Sequence, residues 1–143
     1  MIIGQFSSKL TDKDRLSVPK KFREEMGDIL ICARWYETCL VLVSIDGWNS
    51  LISRLIGHVN LVTQPVRSID RFILGSAYEV RLDNQGRFIV PEILLQYALI
   101  KSDVVFVGLG DRVEIWALEK WMEVEESIEK LAAEAIEKIA KGS

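Results

Sequence analysis

Histidine is nearly absent from this sequence of 143 residues, and cysteine is scarce. The single histidine is His58, which we expect to be a packed or surface residue, and the cysteines are Cys32 and Cys39. Structural zinc sites need four such ligands, usually arranged as close pairs, so this pattern excludes a zinc site. In a reducing compartment we expect two buried thiols, and the alternative is that the cysteines face each other across a hairpin.

The sequence also lacks the features of secreted, membrane-spanning and catalytic proteins. Its unbroken apolar runs, such as ILICA (29–33), are too short to cross a bilayer, and its first residues do not form a secretory signal. It contains no glycine-rich phosphate loop and no nucleophile elbow. We therefore expect a cytoplasmic protein that is not an enzyme and that uses no metal, cofactor, membrane or small-molecule substrate.

Proline occurs three times, and two of the prolines end closely related stretches. TDKDRLSVP occupies residues 11–19, and DNQGRFIVP occupies residues 83–91. Each stretch predicts a turn and then a strand, and its proline begins a short helix. A hairpin of apolar strands follows each helix, and Trp48 or Trp121 follows each hairpin.

This repetition divides the chain into four predicted segments. A first repeat covers residues 1–57, a connector 58–75, a second repeat 76–122 and an amphipathic helix 123–143. Residues 66–77 are expected to form a short helix or a bend. No stretch has the composition of a flexible linker, so we expect the two repeats to pack together.

The final helix is the clearest single element, predicted over residues 118–141. Its apolar residues recur at helical spacing: Trp121, Val124, Ile128, Leu131, Ala135 and Ile139. Glutamate and lysine residues four positions apart support the same helix. Two interpretations stay open, a surface helix that covers the body of the protein and a seam against a neighbouring subunit.

The second turn, DNQGR, has a physical role for each of its main residues. Asp83 can accept hydrogen bonds from backbone amides two residues ahead, and Gly86 can adopt a left-handed conformation. Arg87 then lies close enough to pair with the Asp83 carboxylate. Taken alone, the turn is either a hairpin with a weak surface ion pair or part of a functional site.

Basic residues cluster around the first turn. Residues 1–91 contain 12 basic and 10 acidic residues, whereas residues 92–143 contain 6 and 11, so the net charge of −3 hides an acidic tail. Six of those 12 basic residues lie within fifteen positions, where Asp12 and Asp14 interrupt them and Glu24 and Glu25 follow directly. They are Lys9, Lys13, Arg15, Lys20, Lys21 and Arg23.

The two turns, the Val-Pro pair and short helix after each, and the text KKFREEM resemble the MraZ family of bacterial transcriptional regulators. The resemblance extends from Gly4 to about Trp121. It implies a mainly β (α+β) fold, an AbrB-like swapped-hairpin β-barrel built from two pseudo-two-fold repeats with short flanking helices. It also implies a ring-shaped homo-oligomer, associated with the nucleoid, that binds short repeated sites in double-stranded DNA at the promoter of the division and cell-wall genes.

The family motif fits the two turns unequally. Asp83, Gly86 and Arg87 match it, whereas Thr11 stands in place of the expected aspartate and Asp14 in place of the expected glycine. We expect Thr11 to make a weaker form of the turn bond and Asp14 to tolerate a positive φ.

The first-turn arginine, Arg15, then lacks the ion-pair partner that Asp83 provides for Arg87. We therefore expect Arg87 to be the more structural of the two arginines. The residues predicted to contact DNA are Lys13, Arg15, Lys20, Lys21, Arg23 and Arg87. The alternative function is a protein-interaction module of antitoxin-like type on the same barrel, in which a partner covers the basic patch.

Overall fold

The computed structural model describes residues 1–57 and 64–142. His58 and the start of the predicted connector lie outside these ranges. The strands are β1 (Ile2–Lys9), β2 (Arg15–Ser17), β3 (Ile29–Arg34), β4 (Leu40–Ser44), β5 (Tyr78–Arg81), β6 (Arg87–Ile89), β7 (Asp103–Gly110) and β8 (Val113–Ala117). The helices are α1 (Lys20–Met26), α2 (Ile45–Ile56), α3 (Gln64–Phe72), α4 (Glu92–Tyr97) and α5 (Leu118–Ala140).

The short helices begin where the sequence predicts. Pro19 directly precedes α1 and Pro91 directly precedes α4, where a fixed φ and a missing amide suit a helix start. Gly27 follows α1 with φ 85, and Leu99 stands at the corresponding place after α4 with φ 57. After each turn the element order is the same: strand, short helix, hairpin, helix.

Six strands form one antiparallel sheet in the order β1-β7-β8-β4-β3-β5, and β2 pairs with β6 in a separate two-stranded sheet. The strand before the first turn, β1, pairs with β7 from the hairpin after the second turn. In the same way, β5 pairs with β3 from the hairpin after the first turn. The two parts of the chain are therefore interleaved in one sheet.

The strands that the structure describes do not close into the barrel expected from the resemblance, so that barrel is not confirmed. The six-stranded sheet is open, with β1 and β5 as its two edges. Within residues 1–57 and 64–142, β2 and β6 are three residues long and pair only with each other, so no ladder of hydrogen bonds joins them to those edges. The fold is a mixed α/β arrangement with a mostly antiparallel sheet.

Two buried clusters hold the fold together. The first lies under the two-stranded sheet and includes Leu16, Phe22, Phe88 and Leu94. The second contains four tryptophans, and partly buried residues of α2, α3 and α5 pack against it. These tryptophans are Trp35, Trp48, Trp116 and Trp121.

Both cysteines are buried and free, one in each cluster. Cys32 lies opposite Leu42 in the β3–β4 hairpin, and Cys39 precedes β4. The prediction of two buried thiols is therefore confirmed, and a pair facing across the hairpin is wrong.

The connector helix α3 is fastened to β3 through Arg34. Its Nε donates a hydrogen bond of 3.0 Å to the carbonyl of Phe72, the last residue of α3, and its guanidinium lies 4.7 Å from the centre of the Phe72 ring. The phenol ring of Tyr97 packs edge-on against Phe72, and its hydroxyl accepts a hydrogen bond of 3.2 Å from the Thr38 amide. This network joins the connector to the hairpin and to α4.

Helix α5 packs against the body of the protein only through its first turns. Trp121 is buried and Val124 is partly buried, but every described residue from Glu125 onward is exposed. Leu131 is 61% exposed and Ile139 is 76% exposed. The helix predicted over residues 118–141 is confirmed, but its second half does not cover the sheet.

Candidate nucleic-acid interface

The two-stranded sheet brings the two repeated turns together. Leu16 lies opposite Phe88 at its centre, Arg15 opposite Ile89, and Ser17 opposite Arg87. Leu16 and Phe88 are both buried in the first cluster. Because side chains alternate along a strand, the residues on either side of them point outward. The outward face, called here the ribbon face, consists of Arg15, Ser17, Arg87 and Ile89.

Each turn is held in place by the strand of the other. The amide of Val18 donates a hydrogen bond of 2.9 Å to the carbonyl of Gly86, and the amide of Val90 donates one of 2.8 Å to the carbonyl of Asp14. Both bonds join residues at matching places in the two related stretches. The repetition in the sequence therefore corresponds to a reciprocal pair of contacts in the structure.

The second turn has the hydrogen bonds that its sequence predicts. One carboxylate oxygen of Asp83 accepts the amides of Gln85 at 2.8 Å and Arg87 at 3.0 Å, and the other accepts Arg87 Nε at 2.9 Å. These bonds, led by that from the Arg87 amide, hold the pKa of Asp83 below its ordinary value. Arg87 is thus oriented through Nε, and its terminal nitrogens form no hydrogen bond with the described residues.

The first turn has the same closing backbone bond as the second but different side-chain bonds. The amide of Thr11 donates a hydrogen bond of 2.9 Å to the carbonyl of Arg15, just as the amide of Asp83 donates one to the carbonyl of Arg87. However, the Thr11 hydroxyl contacts the carbonyls of Asp12 and Arg15, so it donates where Asp83 accepts. The expectation that Thr11 makes a weaker form of the same bond is therefore wrong.

Two consecutive residues of the first turn have a left-handed backbone. Asp14 has φ 57, as expected at the position of Gly86, and Lys13 has φ 66, which the sequence did not predict. A left-handed residue other than glycine costs about 1–2 kcal/mol, so surrounding contacts must hold this turn. Lys13 is exposed at its tip, and no ion pair among the described residues involves Arg15.

The basic residues of α1 fall into two groups. Lys20 and Lys21 are exposed, and Lys20 lies 3.9 Å from Glu24. Arg23 is instead half-buried against the second turn, so close that a Cβ added to Gly86 would lie 2.2 Å from its Nη1. Its Nε is buried and has no hydrogen-bond partner among the residues that the structure describes. Sequence reasoning missed this contact because it joins residues far apart in the chain.

The sequence is similar to known proteins over most of its length. The family model described as MraZ protein, antitoxin-like, matches residues 73–141. A protein of Clostridium acetobutylicum named transcriptional regulator MraZ is 39% identical over 127 residues, which cover 89% of each chain. A protein of the same name from Syntrophomonas wolfei is 36% identical over 97% of this chain and 96% of its own. Another, from Caldanaerobacter subterraneus, is 36% identical over 89% of this chain and 88% of its own.

The chain belongs to the MraZ family. This identification agrees with the resemblance carried by the two turns and by KKFREEM. Within residues 1–57 and 64–142 of this MraZ chain, no group of three or more histidine, cysteine, aspartate or glutamate side chains is arranged to hold a metal ion. No helix in those ranges is long and apolar enough to cross a membrane.

Two members of the ribbon face, Ser17 and Ile89, were not singled out from the sequence. Ile89 is 61% exposed, although its neighbours Phe88 and Val90 are buried. The alternation of a strand that starts at Arg87 is a signal that would have placed Ile89 beside the arginines.

Proposed function

We propose that this MraZ protein is a transcriptional regulator that binds DNA sequence-specifically through its ribbon face. The observation that carries the proposal is the presence of Arg15 and Arg87 together on the outward side of a two-stranded ribbon. The major groove of B-DNA is about 12 Å wide and admits such a ribbon, and arginine is the commonest reader of guanine there. The names of its relatives support the same function.

The remaining basic residues are assigned to the phosphate backbone. Lys13 at the tip of the first turn, with Lys20 and Lys21 on α1, contributes contacts that strengthen binding to every sequence. Arg23 packs against the second turn, and its terminal guanidinium nitrogens contribute a further contact to the phosphate backbone. No catalytic residue, metal, cofactor or small-molecule substrate forms part of this function.

Binding by a single subunit is expected to be weak, because its net charge is −3 and only a few of its basic residues lie at the proposed interface, interleaved with acidic ones. A homo-oligomer that repeats the ribbon face, for which a ring is the arrangement we propose, overcomes this by a high effective concentration at repeated sites. The exposed apolar residues of α5, among them Leu131 and Ile139, supply a seam between subunits. Light scattering should show an oligomer, and replacing both residues with glutamine should reduce its mass.

The site of action that we propose is the promoter of the division and cell-wall genes, in the cytoplasm at the nucleoid. The division of the chain into two AbrB-like repeats at residues 1–57 and 76–122 is part of the same proposal. It is supported by the reciprocal bonds of Val18 and Val90.

A gel shift tests the function. The probes are the DNA fragment directly upstream of the protein's own coding region and an unrelated fragment of equal length, each between about 50 and 200 mM salt. We expect preferential binding of the upstream fragment, and an affinity that falls steeply as salt rises. Equal affinity for the two fragments would contradict sequence-specific regulation.

A second candidate function is an antitoxin-like protein-interaction module, favoured by the description of the matching family model. In that case a protein partner covers the ribbon face, and the purified protein should not prefer its own upstream fragment. The gel shift therefore separates the two functions.

A further inference from the structure

Ile89 occupies an unusual place for an exposed aliphatic side chain. It is 61% exposed, lies directly opposite Arg15, and is two residues from Arg87 on the same strand. Single exposed aliphatic residues are common on protein surfaces and need no explanation by themselves. This one differs because it projects from one end of a face whose other residues, Arg15, Ser17 and Arg87, are polar or cationic.

The two halves of the ribbon match in their arginines but not in the residues beside them. Arg15 and Arg87 occupy matching places, and so do Ser17 and Ile89. Arg87 therefore has Ser17 across from it, whereas Arg15 has Ile89. A ribbon with two matching ends would bind a site equally well in either direction, and this difference gives the ribbon a direction.

We propose that Ile89 contacts the 5-methyl group of a thymine in the major groove, next to the base pair contacted by Arg15. The difference between Ile89 and Ser17 then makes each subunit bind its short site in one orientation. This inference rests on the proposed function, and it adds a specificity-determining residue to it.

The chemistry of the groove supports this assignment. Of the four bases, only thymine presents a methyl group there, and apolar side chains recognise it by direct contact. Burying one methyl-sized group is worth about a fourfold change in affinity. Serine at the matching position has no comparable apolar surface, so it cannot make the same discrimination.

The test compares thymine with uracil, which lacks only the methyl group. The probe is the fragment directly upstream of the protein's own coding region, amplified either with dTTP or with dUTP throughout. We measure the ratio of affinities for the two fragments with the wild-type protein and with the Ile89→Ser variant. Ile93→Ser is the matched control, because Ile93 is 43% exposed on α4, outside the ribbon face.

The wild-type protein should bind the uracil fragment about fourfold more weakly for each site occupied. Ile89→Ser should bind the thymine fragment more weakly and lose the preference, whereas Ile93→Ser should keep the wild-type ratio. The inference would be overturned, with DNA binding left intact, if Ile89→Ser kept the preference of the wild-type protein for the thymine fragment. It would also be overturned if the wild-type protein bound both fragments equally well. Wild-type protein that binds neither fragment would overturn the proposed function as well.

Discussion

Replacing Gly86 with alanine should destabilise the protein for two separable reasons. Gly86 has φ +75, and an added Cβ would lie 2.2 Å from Arg23 Nη1, 2.4 Å from Cζ and 2.6 Å from Cδ. The left-handed backbone costs alanine about 1–2 kcal/mol. Moving the Arg23 side chain off the turn costs about 1 kcal/mol more, if contacts equivalent to one buried methylene group are lost.

Gly110 provides a matched control for this substitution. It has φ +90, and no heavy atom lies within 4 Å of its added Cβ. Gly110→Ala therefore carries the backbone cost of about 1–2 kcal/mol alone, against about 2–3 kcal/mol for Gly86→Ala. In the background of Arg23→Ala, the Gly86→Ala substitution should cost no more than Gly110→Ala.

Urea unfolding followed by circular dichroism measures the free energy of unfolding of these variants. The contact of Arg23 with the second turn predicts a coupling energy between positions 23 and 86 that is absent between positions 23 and 110. If Gly86→Ala costs no more than Gly110→Ala in the wild-type background, then Arg23 does not support the second turn as described.

Three further results are expected. Arg87→Ala should cost at least as much free energy of unfolding as free energy of DNA binding, because the Arg87 Nε donates a hydrogen bond to Asp83. Lost binding at an unchanged melting temperature would count against this. The pKa of Asp83 is lowered, so its contribution to stability is present above its ordinary pKa and disappears as the pH falls through the lower folded value. The free energy of unfolding of Asp83→Asn should therefore fall less than that of the wild type as the pH is lowered. Parallel curves for the two proteins would show that the Asp83 carboxylate does not stabilise the fold in this way. Burial raises the pKa of Cys32 to about 12 and also raises that of Cys39, so iodoacetamide at pH 8 should label both thiols only after unfolding; rapid labelling of the folded protein would contradict their burial.

Local features of the fold could be predicted from the sequence because they depend on neighbouring residues. Examples are the prolines before α1 and α4, the Asp83–Arg87 pair and the periodic apolar residues of α5. Their physical causes act within one turn of helix or one hairpin. Patterns of that length can be read directly from a single chain.

Features that join distant residues could not be predicted in the same way. The contact of Arg23 with Gly86 depends on how α1 packs against the second turn, and no pattern within either segment specifies it. The open sheet is a similar case, because closure depends on whether the short strands β2 and β6 pair with the edges. Nor does the apolar periodicity of α5 specify what covers it, since a helix face looks the same whether its partner is the same chain or another subunit.

Contact between the ribbon face and DNA predicts that Arg15→Ala lowers the affinity for DNA. The measurement compares Arg15→Ala with Arg54→Ala by fluorescence anisotropy on the upstream fragment. Arg54→Ala removes the same charge from α2, where the side chain pairs with Asp111. If Arg15 contacts a base edge, Arg15→Ala should remain folded and lose roughly 1–3 kcal/mol of discrimination between the upstream and unrelated fragments, while Arg54→Ala keeps it. A folded Arg15→Ala protein with the wild-type affinity and preference would show that the ribbon face does not bind DNA in this way.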